Sequence, residues 1–260
     1  MAETPSGDHE RSTGDSDDLK SKMMGFLDHL EELRVRLLRA FLILVIGTAV
    51  CLVFSERLIG FLTRWFEPGR GSLALLYPTE GFVVRLKTAL VAGIFLTSPF
   101  WFAQVWGFIS PGLYRDEKRV VVPVVFTCSG AFLLGAAFGY RILPIAINYF
   151  QSLTTPGVEV TWSLGRYIDF SLRLLLAFGL VFELPLIIYA AAQLGIVTPR
   201  VLRNYRRHAI IGILVVSAVI TPPDIFTQIV LAVPLIALYE AGILTAVLAE
   251  RKQRRRKAER

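Results

Sequence analysis

Six apolar blocks, separated by short stretches rich in charge, proline or glycine, set the plan of this 260-residue chain. They cover residues 37–54, 86–109, 120–140, 168–194, 209–220 and 225–248. A helix rises about 1.5 Å per residue, so roughly 20 apolar residues cross a hydrocarbon core about 30 Å thick. Most of the blocks reach that length. The fifth, about 18 Å of helix, stops at the breaker Thr221-Pro222-Pro223-Asp224. The pattern predicts an all-α, polytopic membrane protein with six transmembrane helices.

Between and before the blocks the pattern changes. Leu27, Leu30, Leu33 and Leu37 recur at helical spacing while Asp28, Glu31, Glu32 and Arg36 fall elsewhere on the wheel. Residues 24–38 are therefore expected to form an amphipathic helix along the membrane surface. Residues 1–22, polar and rich in Asp, Ser and Gly, are expected to be a disordered tail. They lack the apolar stretch and cleavage site of a removable signal. Pro68, Pro78, Pro144 and Pro156, with nearby glycines, mark 55–81 and 142–161 as loops. Ser98-Pro99 inside the second block predicts a kink whose freed carbonyl must find another donor. The chain thus divides into a tail (1–22), a transmembrane domain (23–248) and a basic end (249–260).

Hydrophobic residues make up 54% of the chain and mean hydropathy is +0.55, above the roughly 45–50% apolar content of soluble domains. The net charge of +7 would suit nucleic acid, but the basic residues cluster before span one, between two and three, between four and five, and after six. Those four clusters share one side, so both termini are expected in the cytoplasm and no nucleic acid is implied. Cys51 and Cys128 fall inside spans and are read as small packing residues. His9, His29 and His208 are scattered, and no metal or cofactor is expected. A GxxxxGK[ST] phosphate loop is absent, inverted repeats of the transporter kind are not evident, and no nucleophile has a plausible base. These points count against a nucleotide-driven pump, a small-solute transporter and an intramembrane enzyme.

Four stretches carry candidate chemistry. In Phe26-Leu27-Asp28-His29-Leu30-Glu31-Glu32-Leu33-Arg34-Val35-Arg36, Glu32 with Arg36 and Glu31 with Arg34 have the spacing of helix-surface ion pairs worth a few tenths of a kcal/mol. The turn Gly112-Leu113-Tyr114-Arg115-Asp116-Glu117-Lys118-Arg119 places Glu117 on the same side. Glu32 and Glu117 interrupt a positive face and offer a local acidic site to a cationic ligand, although an exposed structural pair explains Glu117 equally well. Glu183, in Phe182-Glu183-Leu184-Pro185, lies mid-span, where a charge costs about 2.5–3.5 kcal/mol unless it faces protein or trapped water. Asp224 is a natural N-cap for the last helix, and Gln228, one turn inside, is expected to seek a polar partner such as Glu183.

Taken in this order, these stretches resemble the TatC family, the multi-spanning receptor subunit of the twin-arginine protein translocase. The resemblance runs from Phe26 to about Leu248 through His29-Leu30-Glu31-Glu32-Leu33-Arg34, Gln104-Val105-Trp106-Gly107-Phe108-Ile109 with Pro111, Tyr114 and Glu117-Lys118-Arg119, Phe182-Glu183-Leu184-Pro185, and Thr221-Pro222-Pro223-Asp224. It implies a concave, cup-like bundle with a short final hairpin, its fifth and sixth helices both short, in the bacterial cytoplasmic membrane. The implied ligand is a signal peptide bearing two consecutive arginines. The implied partners are TatA-type and TatB-type single-span subunits, further copies of the chain and the lipid bilayer, with export of folded cargo driven by the proton gradient. Glu32 and Glu117 match the recognition positions, Arg34 and Phe108 their surroundings, and Glu183 and Gln228 the polar positions inside the cup. Asp116 adjoins Glu117 and is expected to share its work.

Overall fold

Helix α1 (His9–Val53) runs without a break through the charged stretch and the first apolar block. The segment expected to lie along the membrane surface is continuous with the helix of the first apolar block. Helical backbone also reaches back to His9, into the stretch expected to be disordered, because propagating an existing helix gains one hydrogen bond per residue fixed. The structure, a computed structural model, describes the backbone of residues 9–66, 72–109, 118–153, 161–221 and 224–258. Side chains are described for 30–66, 72–107, 122–153, 161–221 and 224–251.

After α1 come α2 (Ser55–Thr63), a short strand β1 (Ser72–Ala74), α3 (Glu80–Leu96) and α4 (Ser98–Ile109). Then follow α5 (Lys118–Ser152), strand β2 (Thr161–Ser163), α6 (Leu164–Phe182), α7 (Leu184–Gln193), α8 (Pro199–Asn204), α9 (Arg206–Ile220) and α10 (Ile225–Ala258). Among the described residues, four stretches are long and apolar enough to cross a membrane: Leu30–Val53, Val122–Ser152, Leu164–Gln193 and Ile225–Arg251. The pair α3–α4, bent by 55°, makes a fifth.

That bend is the expected kink, and its hydrogen bonds show why it is tolerated. Pro99 has no N–H to offer the Phe95 carbonyl; the Ser98 hydroxyl donates to it instead at 2.8 Å. One residue earlier, the Thr97 hydroxyl donates to the Gly93 carbonyl at 2.7 Å. A second break, not expected from the sequence, divides the fourth apolar block, with Glu183 standing between α6 and α7.

Three sequence expectations are corrected. Helix α5 continues through Pro144 to Ser152, where a loop was expected from 142. Ile142, Leu143, Ala146 and Ile147 are all buried, and their helical spacing outweighs the single hydrogen bond that Pro144 removes. The last helix is long, not short, because α10 extends into the basic end as far as Ala258; Lys and Arg are good helix formers. The loops also carry a small β element, β1 paired parallel to β2 with Leu73 opposite Trp162. Helix α9, 15 residues long, is short as expected.

Packing between helices relies on small residues. A Cβ at Gly135 of α5 would collide with the Phe178 carbonyl of α6, and one at Gly93 of α3 would meet the Thr48 backbone of α1. Glycine there lets backbones approach closely, as is common where lipid removes the hydrophobic drive between helices. Phe132 and Phe178 fill the centre, while side chains such as Phe126 and Val219 are 69% and 73% exposed. An apolar periphery of this kind suits hydrocarbon, not water.

Candidate functional site

At the foot of α1, residues 31, 32, 35, 36 and 39 share one helix face because side chains three and four apart stack. The 55° bend at Thr97 brings α4 across this face. Between them lies a cavity of about 490 Å³ lined by Glu31, Glu32, Val35, Arg36, Arg39, Ala103 and Gln104. Arg36 joins its two walls. Its Nε and Nη2 donate to Glu32 Oε1 at 3.1 and 2.5 Å, and its Nη1 donates to the Gln104 carbonyl at 3.3 Å. The guanidinium lies over Gly107, where a Cβ would overlap it. Arg36 is 23% exposed and Glu32 42%, so the carboxylate stands at the mouth with its cation tucked behind.

Of the residues singled out from sequence, Glu32 is on this cavity. Arg34 is exposed on another face of α1 and does not line the cavity. Phe108 belongs to α4 one turn beyond Gln104, its side chain outside the described set, and Asp116, Glu117, Pro222 and Pro223 lie outside the described residues. The Glu32–Arg36 pair has the spacing expected of it, whereas no ion pair joins Glu31 to Arg34. Arg36 and Gln104 were missed as site residues. The signal available for them was one helical turn from Glu32 to Arg36 together with the small residue at 107, where a second helix can approach.

Glu183 is 4% exposed. Its carboxyl faces Cys128 and the main chain of Phe132 on α5, and its Oε1 has no hydrogen-bond partner among the described residues. Cys128 in turn receives the Trp106 indole N–H at 3.3 Å. Helix α4 therefore touches both centres, through Gln104 on one side and Trp106 on the other. Gln228 does not join Glu183; its side-chain amide donates to the Leu214 carbonyl of α9 at 3.0 Å, which pins the turn between α9 and α10. Asp224 accepts the Thr227 N–H at 2.7 Å, the N-capping geometry.

The opposite end of the bundle is fastened by a carboxylate that sequence reasoning passed over. Glu80 Oε1 accepts from the Ser163 hydroxyl at 2.7 Å and the Gly165 N–H at 2.6 Å; its Oε2 accepts from the Leu76 and Tyr77 N–H groups at 2.5 and 3.2 Å. These donors, led by the Ser163 hydroxyl, lower its pKa to about 2 from an ordinary 4.5. Arg85 pairs with Glu56, and Lys87 with Asp169, beside it. That run of charge places this rim outside the apolar part of the span.

Fold and site together define an all-helical, multi-pass membrane protein with a carboxylate-bearing cavity at one end. The family model described as Sec-independent protein translocase protein (TatC) matches residues 28–234, and the chain belongs to that family. The Sec-independent protein translocase protein TatC of Desulforapulum autotrophicum is 39% identical over 232 residues, 88% of this chain and 86% of the relative. That of Helicobacter pylori strain J99 is 39% identical over 219 residues, 84% of this chain and 87% of the relative. A crystal structure of the twin arginine translocase receptor TatC superposes with a TM-score of 0.75 at 34% identity, covering 85% of this chain and 99% of that one.

Proposed function

We propose that this chain is the receptor that captures twin-arginine signal peptides at the Glu32 end of the bundle. The observation that carries the reading is Glu32 itself, a carboxylate at the mouth of a 490 Å³ cavity on the end of the chain where basic clusters gather. A guanidinium presents a planar fork that a carboxylate accepts through two parallel bonds, and such charge-assisted bonds are roughly twice as strong as neutral ones. Lysine is a point charge without the fork. Glu117, helped by Asp116, supplies a second carboxylate from the connection between α4 and α5, while Phe108 borders the site and Arg34, on another face of α1, adds positive charge beside it.

In this reading six spans, counting the short α9, place both termini in the cytoplasm of a bacterial inner membrane, and the flanking segments 1–22 and 249–260 stay outside the working domain. Bound signal peptide lies against the helical bundle, TatA-type and TatB-type subunits and further copies assemble on it, and folded cargo crosses at the expense of the proton gradient. Glu183 and Gln228 serve the interior, and Pro222 and Pro223 hold the turn before Asp224. The role is binding, not catalysis. A labelled signal peptide and its Lys-Lys counterpart are to be titrated against the parent protein, Glu32→Ala and Glu117→Ala. Preference for Arg-Arg that falls in each variant supports the reading, and equal affinity in every combination overturns it.

A further inference from the structure

We infer that Arg36 is a resident guanidinium: it occupies the Glu32 subsite in the empty protein and is displaced from it by an arginine of the incoming peptide. This rests on the receptor reading above. Two of the three guanidinium nitrogens of Arg36 already donate to one oxygen, Glu32 Oε1. A peptide arginine that binds through two parallel bonds needs both carboxylate oxygens, so it contends with Arg36 for that atom. The third nitrogen is held independently, by the Gln104 carbonyl, and the group rests on the open surface that Gly107 leaves. Arg36 therefore has somewhere to stay when it releases Glu32. It gives up the carboxylate, keeps the main-chain carbonyl of Gln104 and remains on α4.

Such an arrangement sets a threshold for entry. Specificity is a difference between affinities, and an internal competitor raises it by penalising ligands that bind the carboxylate weakly. A lysine, offering a point charge, meets an occupied acceptor; an arginine offers the same fork as the resident and can replace it. The empty site also avoids a lone carboxylate facing the α1–α4 seam. The exchange couples occupancy of Glu32 to the contact between α1 and α4, the helix that leads toward Glu117.

The test measures Arg-Arg and Lys-Lys peptide affinities for the parent, Arg36→Lys, Arg36→Gln and Arg39→Gln. Arg36→Lys keeps the charge and loses the fork, so it is expected to tighten Arg-Arg binding by about two- to five-fold, the size of a half-exposed ion pair. The Lys-Lys peptide should gain more, shrinking the selectivity. Arg36→Gln, which loses charge and fork together, should shrink the selectivity in the same way, whereas Arg39→Gln removes one charge from the cavity wall and should leave it in place. Unchanged or weaker Arg-Arg binding in Arg36→Lys overturns the inference while leaving the receptor reading intact. A parent protein with no preference for Arg-Arg overturns both. In the unaltered protein, the Nε–H resonance of Arg36 in 15N-arginine-labelled material should move on saturation with Arg-Arg peptide; a resonance that stays in place refutes displacement without any variant.

Discussion

Glu32 and Glu80 are carboxylates at opposite ends of the same bundle, and their partners differ in kind. Glu80 is gripped by three main-chain N–H groups and a serine hydroxyl drawn from both outer connections. Glu32 accepts from a long side chain on its own helix, Arg36. Main-chain donors cannot leave without unfolding the turn that carries them, whereas a side chain releases its partner by a change of rotamer. The first carboxylate stays satisfied as long as its turns are folded; the second, in the displacement proposed above, changes partners.

The sharpest way to break this comparison is to delete each carboxylate and read both binding and stability. Glu32→Ala removes a charge-assisted acceptor, an interaction worth about 1.5–3 kcal/mol, and is expected to weaken Arg-Arg peptide binding roughly 10- to 100-fold while leaving the thermal midpoint near that of the parent. Glu80→Ala should do the reverse. It frees the Leu76, Tyr77 and Gly165 N–H groups together and unties β1 and α3 from the start of α6, so the midpoint is expected to fall by an amount on the order of a few degrees, with peptide affinity unchanged. Binding loss in Glu80→Ala equal to that in Glu32→Ala would erase the distinction.

Acid sharpens the same contrast. Because Glu80 is held at about 2 in the folded protein against an ordinary 4.5, its contribution is complete above pH 4.5 and is lost as the pH falls from about 4.5 toward 2. Thermal midpoints of the parent should decline through that window more steeply than those of Glu80→Gln. Parallel declines would mean that the Glu80 buckle does not hold the outer connections.

These two ends were not equally readable from sequence. Apolar blocks announced most of the spans, and the local rule for proline placed the break near Pro99 correctly, because both effects act over a few residues, while the break before Pro185 went unread. The same rule failed at Pro144, where four buried neighbours keep α5 helical. Glu32 stood out as a negative charge among positive ones. Its cavity did not, since it depends on how far the Thr97 bend swings α4 over α1, a tertiary angle with no local signature. Glu80 was invisible for a stronger reason: Ser163 and Gly165 lie more than eighty residues along the chain. Gln228 was assigned the wrong partner because the Leu214 carbonyl, midway along the adjacent α9, accepts from its amide.

The smallest expected effect separates the Glu80 buckle from the charges around it. Lys87 reaches both oxygens of Asp169 at 2.8 and 2.9 Å, shorter and neater than many structural pairs, and Arg85 meets Glu56 at 2.7 Å. Distance alone would rank them with Glu80. Both pairs are substantially exposed, 48% and 34% for Lys87 and Asp169, so solvent screens the attraction and two long side chains lose rotamer freedom. Exposed pairs of this kind contribute about 0–1 kcal/mol, and salt at physiological strength screens beyond about 8 Å. Asp169→Asn and Glu56→Gln are therefore expected to leave the thermal midpoint within about a degree or two of the parent, with the small difference vanishing in high salt, where the Glu80→Ala deficit persists. A fall in Asp169→Asn as large as that in Glu80→Ala would show that the rim is fastened by charge, and that the main-chain grip on Glu80 is incidental to it.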